Sequence, residues 1–159
     1  DLDLGYRVPA SIMDAANGLL LEAAPDVTPT RSVRIGGRPP AVVAVGDDAA
    51  IGPEVGAATA DLAAEYASVA IVVPPGLRHE VDAALADLPE SDRARVMTLD
   101  PPEAKGLEFD AVVVVEPAVI GGGTSRGLRL LYVALTRAVQ ELVVVHRLPL
   151  PAGLDLDLD

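Results

Sequence analysis

Short apolar runs alternate along this chain with Ala- and Leu-rich segments whose apolar residues repeat at helical spacing. The runs contain mostly Val and Ala and show no polar alternation, which is typical of parallel strands buried on both faces. They predict five strands, at residues 41–45, 69–73, 95–99, 109–115 and 141–146. The intervening segments predict helices at residues 12–20, 53–67 and 77–88 and a fourth helix before the last strand. We therefore predict an α/β fold, a parallel sheet with helices on both faces.

Three segments lack this periodicity. Residues 26–40 read as a loop whose arginines, Arg31, Arg34 and Arg38, are either solvated or contact a partner. Residues 116–127 contain three successive glycines and predict a mobile loop, with Thr124 or Ser125 capping the following helix. Residues 148–159 alternate Pro, Leu and Asp and are expected to fray. The predicted domain is thus 1–147, followed by an extended or disordered tail at 148–159.

Composition narrows the class of protein. The length of 159 residues suits one domain, and no run of about 18 apolar residues or basic-apolar leader is present, so we expect no membrane partner. The absence of cysteine is compatible with a reducing cytosol, and we predict a cytoplasmic protein. The net charge of −12 and the 3% aromatic content predict poor binding of nucleic acid by this chain alone.

The first candidate cluster is Lys105-Gly106-Leu107-Glu108, which leads directly into the predicted central strand. We expect these groups at the mouth of the parallel sheet, where α/β proteins bind ligands. Gly106 permits a tight loop, and Glu108 can accept hydrogen bonds from ribose hydroxyls. An alternative is that Lys105 and Glu108 form a surface ion pair.

Two arginines are the next candidates. Arg7 follows Tyr6 near the start of the chain, and Arg137 lies on the predicted fourth helix. A guanidinium is always charged and can donate to two phosphate oxygens at once, although each arginine could instead form a surface ion pair. At about 100° per residue Arg137 points away from the helix face predicted to be buried, formed by Leu128, Leu131, Tyr132, Leu135 and Val139.

Asp47 and Asp48 follow the first predicted strand and could hold Mg²⁺ or accept a phosphoryl group, as in receiver domains. They could also cap a turn or the next helix. A receiver-like regulatory module also needs a further acid and a lysine at other strand ends. Asp100 could be that acid, but Lys105 follows the same strand, so the pattern fails.

The strings YRVP (residues 6–9), KGLEFD (105–110) and YVALTRA (132–138) resemble, in this order, three late motifs of superfamily 1 helicases of the UvrD/Rep type. The resemblance implies a second RecA-like domain, the C-terminal motor half of an ATP-dependent helicase-like protein. It implies that Tyr6 stacks on adenine, Glu108 binds ribose beside Gly106, and Arg7 and Arg137 contact the γ-phosphate.

Two motifs of the family are missing from this chain, and each absence leads to a further expectation. No GxxxxGK[ST] phosphate-binding loop is present, so ATP and its Mg²⁺ are expected on a first RecA-like domain outside this sequence, and this chain alone should be inactive. Thr98 and Lys105 are candidate nucleic-acid contacts, but the usual Thr-x-His element before KGLE is absent.

The interval between Tyr6 and Lys105 lacks the large inserted subdomain of UvrD-type enzymes. That difference makes the chain most similar to HelD-like helicases, which bind RNA polymerase. The expected partners are therefore DNA, RNA polymerase or both, reached through the full-length protein.

Overall fold

The computed structural model describes residues 8–23, 38–154 and 156. Five parallel strands form one sheet in the order β1-β5-β4-β2-β3, which confirms the predicted α/β fold. The strands are β1 (Ala41–Ala44), β2 (Val69–Val72), β3 (Val96–Leu99), β4 (Phe109–Val115) and β5 (Ala138–His146). The helices are α1 (Ala10–Ala23), α2 (Ile51–Glu65), α3 (Pro75–Leu85), α4 (Glu90–Arg93), α5 (Pro117–Gly121) and α6 (Ser125–Leu135), and a 3₁₀ turn spans Pro101–Ala104.

The Val-rich strand β4 lies at the centre of the sheet, paired with β2 on one side and β5 on the other. Val113, for example, lies opposite Ile71 of β2 and Val143 of β5. Such a strand has no solvent-facing side, which explains why it lacks polar alternation. The outer strands β1 and β3 have only four residues each and are partly exposed, as short edge strands commonly are.

The sheet separates two apolar cores because successive side chains of a strand point to opposite faces. Val112 and Val114 pack in the core that contains residues of α1 and α6. Val113 and Val115 pack in the core that contains residues of α2 and α3. The chain runs from β1 through β2 to β3 and then returns through β4 to β5, so right-handed connections place the helices on opposite faces. No helix among the described residues combines the length and apolar character needed to cross a membrane.

The glycine-rich segment at 116–127 is more ordered than the predicted loop. It contains the short helix α5, which begins at Pro117 and ends before Gly122, whose φ of 56° suits a residue that follows a helix. Thr124 caps α6, because its side chain accepts a hydrogen bond from the backbone N–H of Gly127 at 3.0 Å.

Helix α6 ends earlier than the periodicity predicts. Its last residue is Leu135, and Val139 lies in β5, so the placement of Val139 on the helix face is wrong. The hydroxyl of Thr136 hydrogen-bonds the carbonyls of Tyr132 and Val133, and the strand pair β4–β5 begins with Phe109 opposite Ala138. Pairing with β4 therefore begins at Ala138, one residue before Val139, the last apolar position of the predicted helix face.

Two described leucines of the C-terminal segment, residues 148–159, pack against the rest of the domain. Leu154 and Leu156 are each 8% exposed and belong to the same core cluster as the apolar residues of α1. Gly153, with a φ of +90°, lies directly against Gly18 of α1. These two leucines are therefore packed against the domain, whereas an extended or disordered tail over 148–159 as a whole stays a prediction. The boundary between residues 147 and 148 stays a prediction.

Several expectations concern parts of the chain outside the described residues. The candidates Tyr6 and Arg7 and the loop arginines Arg31 and Arg34 are among them. Arg38 is described, and its guanidinium forms exposed ion pairs with Glu65 and Glu141 at 2.8 and 2.9 Å.

The close approach of α1 and the C-terminal segment makes Gly18→Ala a test of this packing. A Cβ at position 18 would overlap the carbonyl oxygen of Gly153, so we expect the unfolding free energy to fall by about 1–3 kcal/mol. Urea denaturation measures the change. The matched control is Gly76→Ala in α3, where a Cβ meets no atom within 4 Å and should be neutral or stabilising. Equal stability of the two variants would contradict the described contact.

Candidate functional site

Two of the predicted site residues meet at the end of the sheet where the strands β4 and β5 begin. Glu108 immediately precedes β4, and Arg137 immediately precedes β5. The backbone N–H of Phe109 donates to the carbonyl of Arg137 at 3.0 Å, which ties the two strand entries together. Parallel neighbouring strands begin at the same edge, so residues far apart in the sequence become neighbours here.

The guanidinium of Arg137 is half-buried and is anchored by three neutral oxygens. Its Nε donates to the carbonyl of Val133 at 3.0 Å, and its Nη1 donates to the carbonyl of Leu107 at 3.3 Å. Its Nη2 donates to Oγ1 of Thr136 at 3.3 Å. The side chain thus turns back along the end of α6 and also contacts the loop before β4.

Burial lowers the pKa of Arg137, and electrostatic interactions with Glu108 and, more weakly, with Tyr132 oppose that shift. A guanidinium keeps its proton at neutral pH even so, because its ordinary pKa lies far above neutral. The site therefore presents a partly desolvated cation close to a carboxylate.

The loop before β4 is shaped by the 3₁₀ turn and by one glycine. Glu103 in this turn accepts a hydrogen bond from the backbone N–H of Asp100 at 2.7 Å and so closes a capping box. Gly106 has a φ of +80°, a conformation that residues with a Cβ rarely adopt. Lys105, Gly106 and Glu108 are all exposed. None of the ion pairs between described residues joins Lys105 to Glu108.

The location of this cluster differs from the expectation. Ligands of open α/β sheets usually bind beyond the carboxyl ends of the strands, whereas Glu108 and Arg137 lie at the amino ends. The carboxyl end of β4 is closed by Glu116, which is only 5% exposed and has a left-handed φ of 50°. Its carboxylate accepts from the backbone N–H groups of Arg147 at 3.0 Å and Leu148 at 3.1 Å. The expectation used the correct strand but assigned its entry loop to the wrong edge of the sheet.

Helix α1 brings the start of the described chain toward the same edge. The hydroxyl of Tyr132, near the end of α6, lies 3.5 Å from Met13 Sδ and from Asn17 Oδ1 of α1. At the opposite ends of the two helices, Glu22 and Leu128 line a common cavity. The helices are therefore antiparallel, and the N-terminal end of α1 lies beside the C-terminal end of α6. Tyr6 and Arg7 precede this end but fall outside the described residues.

The remaining candidates lie elsewhere. Thr98 is half-buried on the edge strand β3, and its carbonyl accepts from Nη2 of Arg78 at 3.2 Å.

Asp47 and Asp48 are exposed beyond β1, and Asp100 follows β3. Because β1 and β3 are opposite edges of the sheet, these acids cannot form the pocket of a receiver domain. Asp47 and Asp48 also do not cap α2, which has no side-chain cap. The described residues contain no group of three or more His, Cys, Asp or Glu suited to a metal ion.

Sequence reasoning missed the groups that hold Arg137. Two of them, the carbonyls of Leu107 and Val133, are backbone atoms that no residue pattern reveals. Thr136 was the only one that could be recognised, because it stands directly before Arg137 in the string YVALTRA.

Comparison with known proteins bears on this segment. Residues 101–145 match the model of the UvrD-like helicase C-terminal domain. The solved C-terminal domain of a possible DNA helicase from Lactobacillus plantarum WCFS1 has a similar fold, with a TM-score of 0.66, 23% identity and 94% of each chain covered. No curated protein matches the chain significantly. The segment that contains Lys105, Glu108 and Arg137 is therefore similar to the C-terminal domain of UvrD-like helicases, within a fold that a helicase C-terminal domain shares.

Proposed function

We propose that this chain is the C-terminal motor half of an ATP-dependent helicase-like protein. The observation that carries the proposal is the meeting of Glu108 and Arg137 at one edge of the sheet, inside the segment that matches the helicase family. A carboxylate and a partly buried guanidinium side by side suit a ligand with both hydroxyl groups and phosphates.

In this proposal ATP lies between the described domain and a first RecA-like domain that carries the phosphate-binding loop. Glu108 accepts hydrogen bonds from the ribose, and Gly106 keeps the loop in the required conformation. Arg137 donates to the γ-phosphate, as arginines do in phosphoryl-transfer enzymes. The described residues offer no carboxylate cluster for Mg²⁺, so we assign its ligands to the first domain.

Arg7 and Tyr6 are proposed to complete the site, Arg7 at the γ-phosphate and Tyr6 on the adenine. The support for these two roles is the position of the two residues in the chain, directly before α1. Val8, which follows Arg7, is buried just before α1, whose N-terminal end lies beside the end of α6 and Arg137. Closure of the two domains on ATP would then be driven by two guanidinium groups from one domain and released by hydrolysis.

The proposed polymer substrate of the full-length protein is DNA, in the cytoplasm. Lys105 is exposed beside the nucleotide site and Thr98 lies on an edge strand, so both are proposed as weak nucleic-acid contacts. The net charge of −12 makes strong binding by this chain alone unfavourable, so most phosphate contacts should come from other domains.

The proposal predicts that the 159-residue chain alone does not hydrolyse ATP. It holds the arginines but no phosphate-binding loop, so ATP and Mg²⁺ have no site that aligns an attacking water. A phosphate-release assay with ATP and Mg²⁺ should show no turnover above buffer. Turnover that follows the protein through purification would show that the proposed division of the site is wrong.

In the full-length protein, Arg137→Ala should lower kcat by roughly 10²–10⁴ because the transition state loses a cation at the γ-phosphate. The matched control is Arg129→Ala, which removes an exposed arginine of α6 that makes no hydrogen bond or ion pair with any described residue. Circular dichroism should show that both variants are folded. A kcat of Arg137→Ala equal to that of the wild type would exclude this residue from the site.

A second candidate function is remodelling of RNA polymerase, as in HelD-like helicases, with little unwinding of DNA. The supporting observation is that residues 38–154 pass from β1 to β5 through short connections, with no inserted subdomain. Strand-stimulated ATPase and duplex unwinding by the full-length protein would favour the DNA helicase. Stoichiometric co-purification with RNA polymerase, together with ATPase activity that DNA does not stimulate, would favour the remodelling protein.

A further inference from the structure

Thr136 occupies the position between the end of α6 and the start of β5, and it is only 2% exposed. Its Oγ1 lies 2.9 Å from the carbonyl of Tyr132 and 3.2 Å from that of Val133. A hydroxyl has one proton, so donation to either carbonyl leaves its oxygen as an acceptor. The donor that meets this oxygen is Nη2 of Arg137.

We infer that Thr136 is a positioning residue, whose hydroxyl fixes the orientation of the Arg137 guanidinium toward the nucleotide. This inference rests on the proposed function and deepens it by naming the group that prepares the arginine. Arg137 is the residue that would touch the phosphate, and Thr136 acts only through it.

The geometry explains why a third anchor matters. The carbonyls of Val133 and Leu107 hold Nε and Nη1, and they belong to α6 and to the loop before β4. Two contacts leave a planar group able to tilt about the line that joins them. The contact with Thr136 removes this tilt, and the buried hydroxyl admits little water that could replace it.

The same contacts limit what the guanidinium can bind. It has five N–H bonds, of which three are directed at these oxygens, so at most two remain, one on each terminal nitrogen. Two N–H groups on neighbouring nitrogens suit two oxygens of one phosphate. Thr136 is the only one of the three anchors that a side-chain substitution can remove, since the others are backbone carbonyls.

The test is the steady-state ATPase activity of the full-length protein with Thr136→Val and Thr136→Ser. Valine keeps the shape but offers no acceptor, so kcat should fall roughly tenfold while KM for ATP changes little. Serine keeps the hydroxyl and should retain kcat within about twofold of the wild type. Thermal unfolding of both variants separates loss of fold from loss of orientation. If serine lowers kcat as much as valine does, the hydroxyl is not the positioning group and the inference is wrong.

A double variant distinguishes positioning from a structural role. In an Arg137→Ala background Thr136→Val should cause no further loss of kcat, because the group that it orients is gone. A further tenfold loss would mean that Thr136 acts independently, which overturns the inference. If Thr136→Val alone is fully active while Arg137→Ala is impaired, the inference fails and the proposed function stands. If Arg137→Ala itself is fully active, the proposed function fails.

Discussion

The guanidinium of Arg137 joins two parts of the chain that the sheet brings together. It contacts the carbonyl of Val133 at the end of α6 and the carbonyl of Leu107 in the loop before β4. The backbone of the same residue accepts from Phe109, where β4 begins. These contacts exist because β4 and β5 are parallel neighbours and Phe109 is in register with Ala138 where both strands begin, so the entry loop of one strand meets the entry residue of the other. A change in that register would separate Glu108 from Arg137, which makes sheet pairing the first requirement of the site.

The carboxyl ends and the amino ends of the strands differ in whether their polar groups are satisfied within the chain or exposed. At the carboxyl end, the carboxylate of Glu116 accepts from the backbone N–H groups of Arg147 and Leu148, and the guanidinium of Arg147 donates to the carbonyl of Ala49. These bonds satisfy polar groups within the chain and leave them unavailable to a ligand. At the amino end, Lys105 and Glu108 remain exposed. In the proposed function, a ligand shared with a second domain would approach the amino end, where these two side chains are exposed.

Apolar patterning was sufficient to predict the strands and the α/β class. A run of Val such as β4 forms a buried strand largely because of its own residues, with little influence from the rest of the chain. It was insufficient at element ends. Val139 fits the helical spacing of α6, but strand pairing with β4 places it in β5. Leu154 and Leu156 stand among Pro and Asp in the sequence. Their burial becomes apparent only from the packing of this segment against α1, where Gly153 contacts Gly18. Motif strings identified Glu108 and Arg137, whereas the carbonyls that hold Arg137 and the edge at which it lies depend on the backbone path.

The charges around Arg137 bear on the phosphate contact that we propose for it. Arg38, Arg78 and Arg95 form ion pairs with carboxylates, whereas the hydrogen bonds of Arg137 to described residues go to neutral oxygens. Its cation is thus held in place, and no described carboxylate forms a direct ion pair with it. Residues 117–140 contain no Asp or Glu, although the chain has 24 acids against 12 Lys and Arg. The charged side chains of this stretch are therefore all arginines, and repulsion of an anion by more distant exposed carboxylates is screened over about 10 Å. The partial burial that lowers the pKa of Arg137 would also strengthen its attraction to the proposed phosphate, because charges interact more strongly where less water surrounds them.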